Sequence, residues 1–302
     1  MRALTLPQYG DPSLLTVSEL PVPAPRPGQI LVRTAGTAVN PVDLLVRSGE
    51  LAGSISHPFP LILGWDLSGT VAEVGEGVDR FAPGDRIVAM SAQYATGVGT
   101  HAEYVALDAA LAAPAPKTVD LVHAAALPLG GLTAYQALEK AAPRPGETLL
   151  VTGPVGAVGG FATQIAAARG VRVIALARPE DAALARELGA ESVLFSDEPV
   201  PAGVADVLLE TAGIAPQVIG AVRDGGRAVS IYAPEPPKAE RGITVLQTFV
   251  EQDGDQLAVL SGLVDEGVLT LRVAEVSDFS AGPQAHRRLA AGGTRGKLIL
   301  TP

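Results

Sequence analysis

Leu149-Leu150-Val151-Thr152-Gly153-Pro154-Val155-Gly156-Ala157-Val158-Gly159-Gly160 leaves an apolar run and enters a glycine-punctuated turn. A helical pattern follows, predicted over residues 158–169. The glycine spacing is G-x-x-G-x-x-G, not the commoner G-x-G-x-x-G. Glycines there permit a tight turn, close approach of backbone to a diphosphate and close packing of helix on strand. The helix N-terminus adds free N–H donors and a positive dipole. A turn without a ligand is the plain alternative, so the reading depends on what surrounds it.

Downstream, strand and helix patterns alternate. VRVIALA is followed by a helix over EDAALARELG, then SVLF, ADVLLETAG, a short helix and RAVSIY. This rhythm predicts an α/β, doubly wound parallel sheet with helices on both faces, hence a nucleotide-binding unit. Upstream, QILVRTAG, SGTVAEVG, DRIVAM and HAEYVAL stand between RPG, GEG and APGD turns and read as a mainly β module, a small barrel. One linking helix is predicted in LVHAAALPLGGLTAYQALEKAA, before the breaker Pro143-Arg144-Pro145-Gly146. The last stretch offers a helix in DQLAVLSGLVDEG, a strand TLRVAEV, a helix around AGPQAHRRLAAG and a strand KLILTP.

The residue ending the second strand of the nucleotide unit chooses the cofactor. An NAD site places a carboxylate there for the ribose 2′-hydroxyl. Here it is Arg178, whose guanidinium suits a 2′-phosphate and favours NADPH. The competing reading makes Arg178 a solvated charge and turns Glu180 or Asp181 toward the ribose.

Composition narrows the rest. A chain of 302 residues with 47% hydrophobic content can bury two cores, and its net charge of -10 disfavours nucleic acid and anionic lipid as partners. No apolar run suits a bilayer span, and the first residues lack a signal-peptide core, which predicts a cytoplasmic protein with no membrane partner. The absence of cysteine excludes thiolate nucleophiles and thiolate zinc sites, and the four histidines (His57, His101, His123, His286) have no metal-ligand spacing. His57 and His101 read as structural, because no orienting partner is evident.

Hydride transfer needs a positioned cofactor and a donor to the substrate oxygen more than acid–base machinery. Asn40, the only asparagine, is the first candidate donor, to that oxygen or to the nicotinamide ribose; asparagine before proline also simply makes turns. Asp43 anchors either a ribose or its own loop. Trp65 covers an apolar substrate or belongs to the core, and Tyr94 is a conceivable proton donor alongside solvent.

Several motifs in order carry a family resemblance: Gly36-Thr37-Ala38-Val39-Asn40-Pro41-Val42-Asp43 with Arg47-Ser48-Gly49, Leu63-Gly64-Trp65-Asp66-Leu67-Ser68-Gly69, Val74-Gly75-Glu76-Gly77-Val78, and Gly84-Asp85. Ala102-Glu103-Tyr104, Ala126-Leu127-Pro128, Leu132-Thr133-Ala134, the glycine turn and Arg295-Gly296-Lys297 continue the series. The chain resembles the zinc-independent quinone oxidoreductases of the medium-chain dehydrogenase/reductase superfamily. The resemblance implies a GroES-like substrate-side domain from residues 1–117 and 252–302, a Rossmann domain from 118–251, and the cofactor in the cleft between them. It implies a homodimer formed through edge strands, and it places Thr133 near the nicotinamide as a catalytic candidate beside Asn40. Lys297 either reaches the cofactor phosphates or caps a domain junction. The candidate cofactor set is Gly153, Val155, Gly156, Ala157, Val158, Gly159 and Arg178, with Asn40, Thr133, Ile231 and Lys297. Zinc-dependent relatives hold their metal with cysteine and G-H-E, where this chain has Gly64-Trp65-Asp66. Leu45 and Leu51 stand where relatives carry aromatic residues, so the candidate pocket is Leu45, Leu51, Trp65 and Tyr94. Segment 233–242 is shorter than usual in the family. The predicted activity is NADPH-dependent reduction of a quinone or enone by hydride transfer. A zinc-independent alcohol dehydrogenase, an enoyl reductase and a non-catalytic NADPH-binding protein stand as alternatives.

Overall fold

The computed structural model describes residues 1–302 except residue 56 and residues 232–236. Tyr232 and the first part of segment 233–242 therefore lie outside the described residues. The chain forms two compact units. One comprises Met1–Leu129, Gln252–Glu266 and Leu271–Pro302; the other comprises Gly130–Glu251 and Gly267–Thr270.

The second unit holds six strands in the order Ser192–Phe195, Arg172–Ala177, Thr148–Thr152, Ala205–Glu210, Val222–Ile231, Thr244–Thr248, every neighbouring pair parallel. This is the doubly wound arrangement, in which the order reverses between Thr148–Thr152 and Ala205–Glu210. Leu149, Leu150 and Val151 are fully buried, as a central parallel strand covered on both faces requires. Leu150, Leu176, Leu208, Val222 and Ala228 share one core cluster. The helix after the glycine turn runs Ala157–Ala168, close to the predicted span. Thr244–Thr248, which periodicity did not reveal, completes the sheet.

In the first unit, the long strand Gln29–Val39 organises a seven-stranded sheet, pairing with Asp66–Val74, Tyr104–Asp108 and Lys297–Thr301. Leu4, Leu6, Val46, Leu63, Phe279 and Leu298 form one of its cores, and Ile30, Val32, Leu67 and Ile87 belong to another. The C-terminal strand reaches the first core by pairing Leu298 with Val39.

Two expectations change. The single linking helix is two, Leu121–Ala124 and Pro128–Ala141, because Pro128 is tolerated at a helix start but not inside one. The compact units divide at Leu129 and Gly130, not after Lys117. Residues 118–129 are bound to the first unit by Arg86 Nη2 donating to Val119 O at 2.8 Å, Thr118 N donating to Asp265 Oδ1 at 2.9 Å, and Leu129 N donating to Asp66 Oδ1 at 2.6 Å. Gly267–Thr270 joins the second unit, where Thr270 N donates to Gln164 Oε1 at 2.9 Å.

Candidate active site

In the nucleotide-binding unit the glycine turn sits at the reversal of strand order. Gly153 has φ +57°, which strongly favours glycine, and Gly156 N donates to Gly153 O at 2.9 Å to close the turn. A Cβ on Gly159 would lie 2.2 Å from Gly153 O, so the first helical turn fits under the strand end only without a side chain. A Cβ on Gly156 would stand 3.2 Å from the same oxygen, tight but not prohibitive. Gly156 caps the twelve-residue helix Ala157–Ala168, whose N-terminal amides and dipole suit an anion. Val155 is buried, while Ala157 and Val158 are partly exposed in the turn. These features fit a dinucleotide's diphosphate.

Arg178 follows the strand Arg172–Ala177 and is largely exposed. Its Nε lies 3.3 Å from Asp181 Oδ2 and its Nη1 3.8 Å from Glu180 Oε1, so both acidic residues face the guanidinium. Ile231, partly buried, ends the strand Val222–Ile231, and Thr133 is buried in the helix Pro128–Ala141. Glu210, at the end of its strand, is also buried in this unit. Sequence reasoning passed over it, although a carboxylate closing the apolar run ADVLLE was its visible signal.

The first unit gathers Asn40, Asp43, Asp66 and Lys297 into a buried polar centre. Lys297 Nζ donates to Asp66 Oδ2 at 2.8 Å and to Asn40 Oδ1. Asn40 Nδ2 donates to Asp66 Oδ2 at 2.8 Å and to Ala38 O at 3.1 Å. Both amide hydrogens are thereby used, leaving neither for a substrate oxygen in this arrangement. Lys297 points to Asp66 and Asn40 because its strand pairs beside Val39, and it is 5% exposed. Asp66 completes a group that the motif contained without a role being read for it.

Asp43 lies in the first turn of the helix Pro41–Ser48. Its Oδ2 accepts from Asn40 N at 2.8 Å and its Oδ1 from Gly64 N at 2.9 Å. These bonds make it an anchor for its own loop. Burial outweighs them and pushes the carboxyl up to about 7.

Trp65 is buried with its ring 5.1 Å from that of Tyr94, tilted by 44°, and Tyr94 is exposed on one side. Leu51 packs against the core that contains Leu4 and Phe279, while Leu45 is partly buried on its helix. The first unit thus brings Trp65 and Tyr94 together and turns the partly buried Leu51 toward one of its cores.

The alcohol dehydrogenase GroES-like domain family matches residues 26–117, and a family described as zinc-binding dehydrogenase matches residues 188–300. An NADPH-dependent alkenal/one oxidoreductase of Arabidopsis thaliana is 29% identical, covering 100% of this chain and 80% of that protein. A quinone-oxidoreductase homolog of Spinacia oleracea is 30% identical, covering 100% and 98%. Among solved structures, an NAD-dependent alcohol dehydrogenase superposes with a TM-score of 0.89 at 32% identity, covering 100% of both chains.

Zinc, which the second family description names, does not fit the polar centre. The chain has no cysteine, and among the described residues no group of three or more His, Asp or Glu could hold a metal ion. The Lys297 ammonium already neutralises Asp66 and would repel a divalent cation. With 30% identity along its whole length to a relative that it covers almost completely, the chain belongs to the quinone oxidoreductase family of the medium-chain dehydrogenase/reductase superfamily.

Proposed function

We propose that this chain is an NADPH-dependent reductase of a small quinone or enone, working by hydride transfer without a metal ion, as a cytoplasmic homodimer. The observation that carries it is the glycine turn, in which the 2.2 Å approach of a residue-159 side chain to Gly153 O would destroy a diphosphate cradle at the head of a helix. Kinship with an alkenal/one oxidoreductase and a quinone-oxidoreductase homolog supports the substrate class.

Bound NADPH supplies the hydride. Gly153, Gly156 and Gly159, with Val155, Ala157 and Val158, hold the diphosphate, and Ile231 flanks the cofactor. Arg178 takes the 2′-phosphate, exchanging its 3.8 Å approach to exposed Glu180 for a charge-assisted pair with a dianion. Buried Asp181 keeps the guanidinium in place. Thr133 lies near the nicotinamide. Asn40 acts with Lys297 and Asp66 as a rigid polar group rather than a donor to substrate, and Trp65 with Tyr94 offers an apolar wall.

The test is NADPH oxidation with a panel of quinones, enones and enoyl thioesters, beside NAD(P)+ reduction with alcohols. Quinones or enones should turn over fastest, and a chelator should leave the rate unchanged. Arg178→Ala should cut the preference for NADPH over NADH by about tenfold or more, the loss of one charge-assisted hydrogen-bonding group. Turnover confined to alcohols would favour the dehydrogenase reading that the superposed NAD-dependent structure represents. Inactivity across the whole panel, or loss of activity on chelation, would overturn the proposal.

A further inference from the structure

Where the strand order reverses, the backbone ladder between Thr148–Thr152 and Ala205–Glu210 ends at the pair Val151 and Leu209. Side chains then continue it. Thr152 Oγ1 donates to Glu210 Oε1 at 3.0 Å, Thr211 N donates to Thr152 Oγ1 at 2.8 Å, and Thr211 Oγ1 donates to Thr152 O at 2.6 Å. The same Glu210 oxygen accepts from Ala212 N at 2.8 Å and Ile214 N at 3.1 Å. Thr152 is fully buried and Glu210 is 1% exposed.

Neighbouring strands at this point send their chains to opposite faces of the sheet, which opens the crevice where nucleotides bind in such folds. Here the two strand ends are tied together at the residue immediately before Gly153. Thr211 Oγ1 also stands 3.0 Å from where a Gly153 Cβ would be, so the tie borders the turn directly. Both threonine hydroxyl hydrogens are used within the protein, which leaves neither to donate to a ligand.

We infer that Thr152, Glu210 and Thr211 form a clasp that presets the glycine turn for the cofactor's diphosphate. They are positioning residues, and the inference rests on the NADPH reading above. Thr211→Val removes the hydroxyl at nearly constant volume, and Thr211→Ser restores it. NADPH binding by fluorescence, the KM for NADPH, kcat and the melting temperature should be measured for both variants and the unaltered protein.

Thr211→Val should raise Kd and KM for NADPH about fivefold, the effect of one lost hydrogen bond, while kcat at saturation stays within about twofold. Thr211→Ser should bind like the unaltered protein. The clasp is overturned if Thr211→Val binds NADPH unchanged, if kcat falls in place of affinity, or if serine fails to rescue. Should Thr211→Val not fold, Thr152→Val removes the partner hydroxyl and the same criteria apply. If the unaltered protein binds neither NADPH nor NADH, the cofactor reading fails and takes the clasp with it. If that protein binds and the variants match it, only the clasp fails.

Discussion

Two imidazoles buried in the first unit govern how the protein meets acid. His101 and His286 are both fully buried, and burial, the largest cause for each, lowers them to about 3 from an ordinary 6.5. The unfolded chain takes up these protons as pH falls below 6.5, whereas the folded chain takes them up only near 3. Stability is therefore lost through that window, by about 1.4 kcal/mol per pH unit for each histidine. Asp43 works in the opposite sense, because its carboxyl is raised from 3.8 to about 7 and the folded state holds a proton that the unfolded state has released. Its contribution grows as pH falls from about 7 toward 3.8 and cancels one histidine. The unaltered protein should lose about 1.4 kcal/mol per unit between roughly pH 6 and pH 4.5 in urea unfolding, while His286→Leu should be nearly flat there. An identical slope in both proteins would refute the assignment. Residue roles were unevenly legible. The position of Arg178 just after a strand could be read because it is local, and its role is a proposal. The Lys297–Asp66 pair joins residues 231 positions apart, and only the pairing of strands creates it.

The glycine turn is where a sequence motif becomes an element, and its glycines have separable duties. A Cβ on Gly159 meets backbone at 2.2 Å, so Gly159→Ala must move the helix against the strand. A Cβ on Gly156 meets the same oxygen at 3.2 Å with φ −72°, so the fold accommodates it by a small shift, but in the proposed cradle the methyl would intrude on the diphosphate. Gly156→Ala should weaken NADPH binding by about tenfold with a melting point within about 2 °C, whereas Gly159→Ala should lower both binding and melting point. Calorimetry with cofactor titration checks this, and equal behaviour of the two variants would contradict it. The same motif made the α/β class readable, since apolar strands alternating with helices have few other ways to bury themselves. Thr244–Thr248 escaped notice because a partly exposed edge strand, TVLQT, lacks the continuous apolar run of its neighbours. The break between Ala124 and Pro128 was missed because apolar spacing continued across it while proline forbade the helix.

The two-unit organisation was legible as a change of rhythm along the chain, whereas a homodimer was expected from the family resemblance alone, because no periodicity describes a partner. The strand Thr244–Thr248 supplies a physical reason to propose one. Among the described residues it pairs on one side only, with Val222–Ile231, and it ends the parallel sheet. Immediately beyond it Phe249 is 63% exposed, beside backbone groups on the open edge that would pair with another strand. A twofold pairing of this edge with its copy would extend the sheet across two chains and cover the ring. Light scattering after size exclusion should give twice 30.7 kDa for the unaltered protein. Phe249→Asp, which puts a charge at the proposed edge on a residue that is 63% exposed in the single chain, should give the single mass with its helix and strand content unchanged by circular dichroism. A monomer for the unaltered protein at micromolar concentration would end the dimer proposal. A dimer unaffected by Phe249→Asp would move the interface away from this edge.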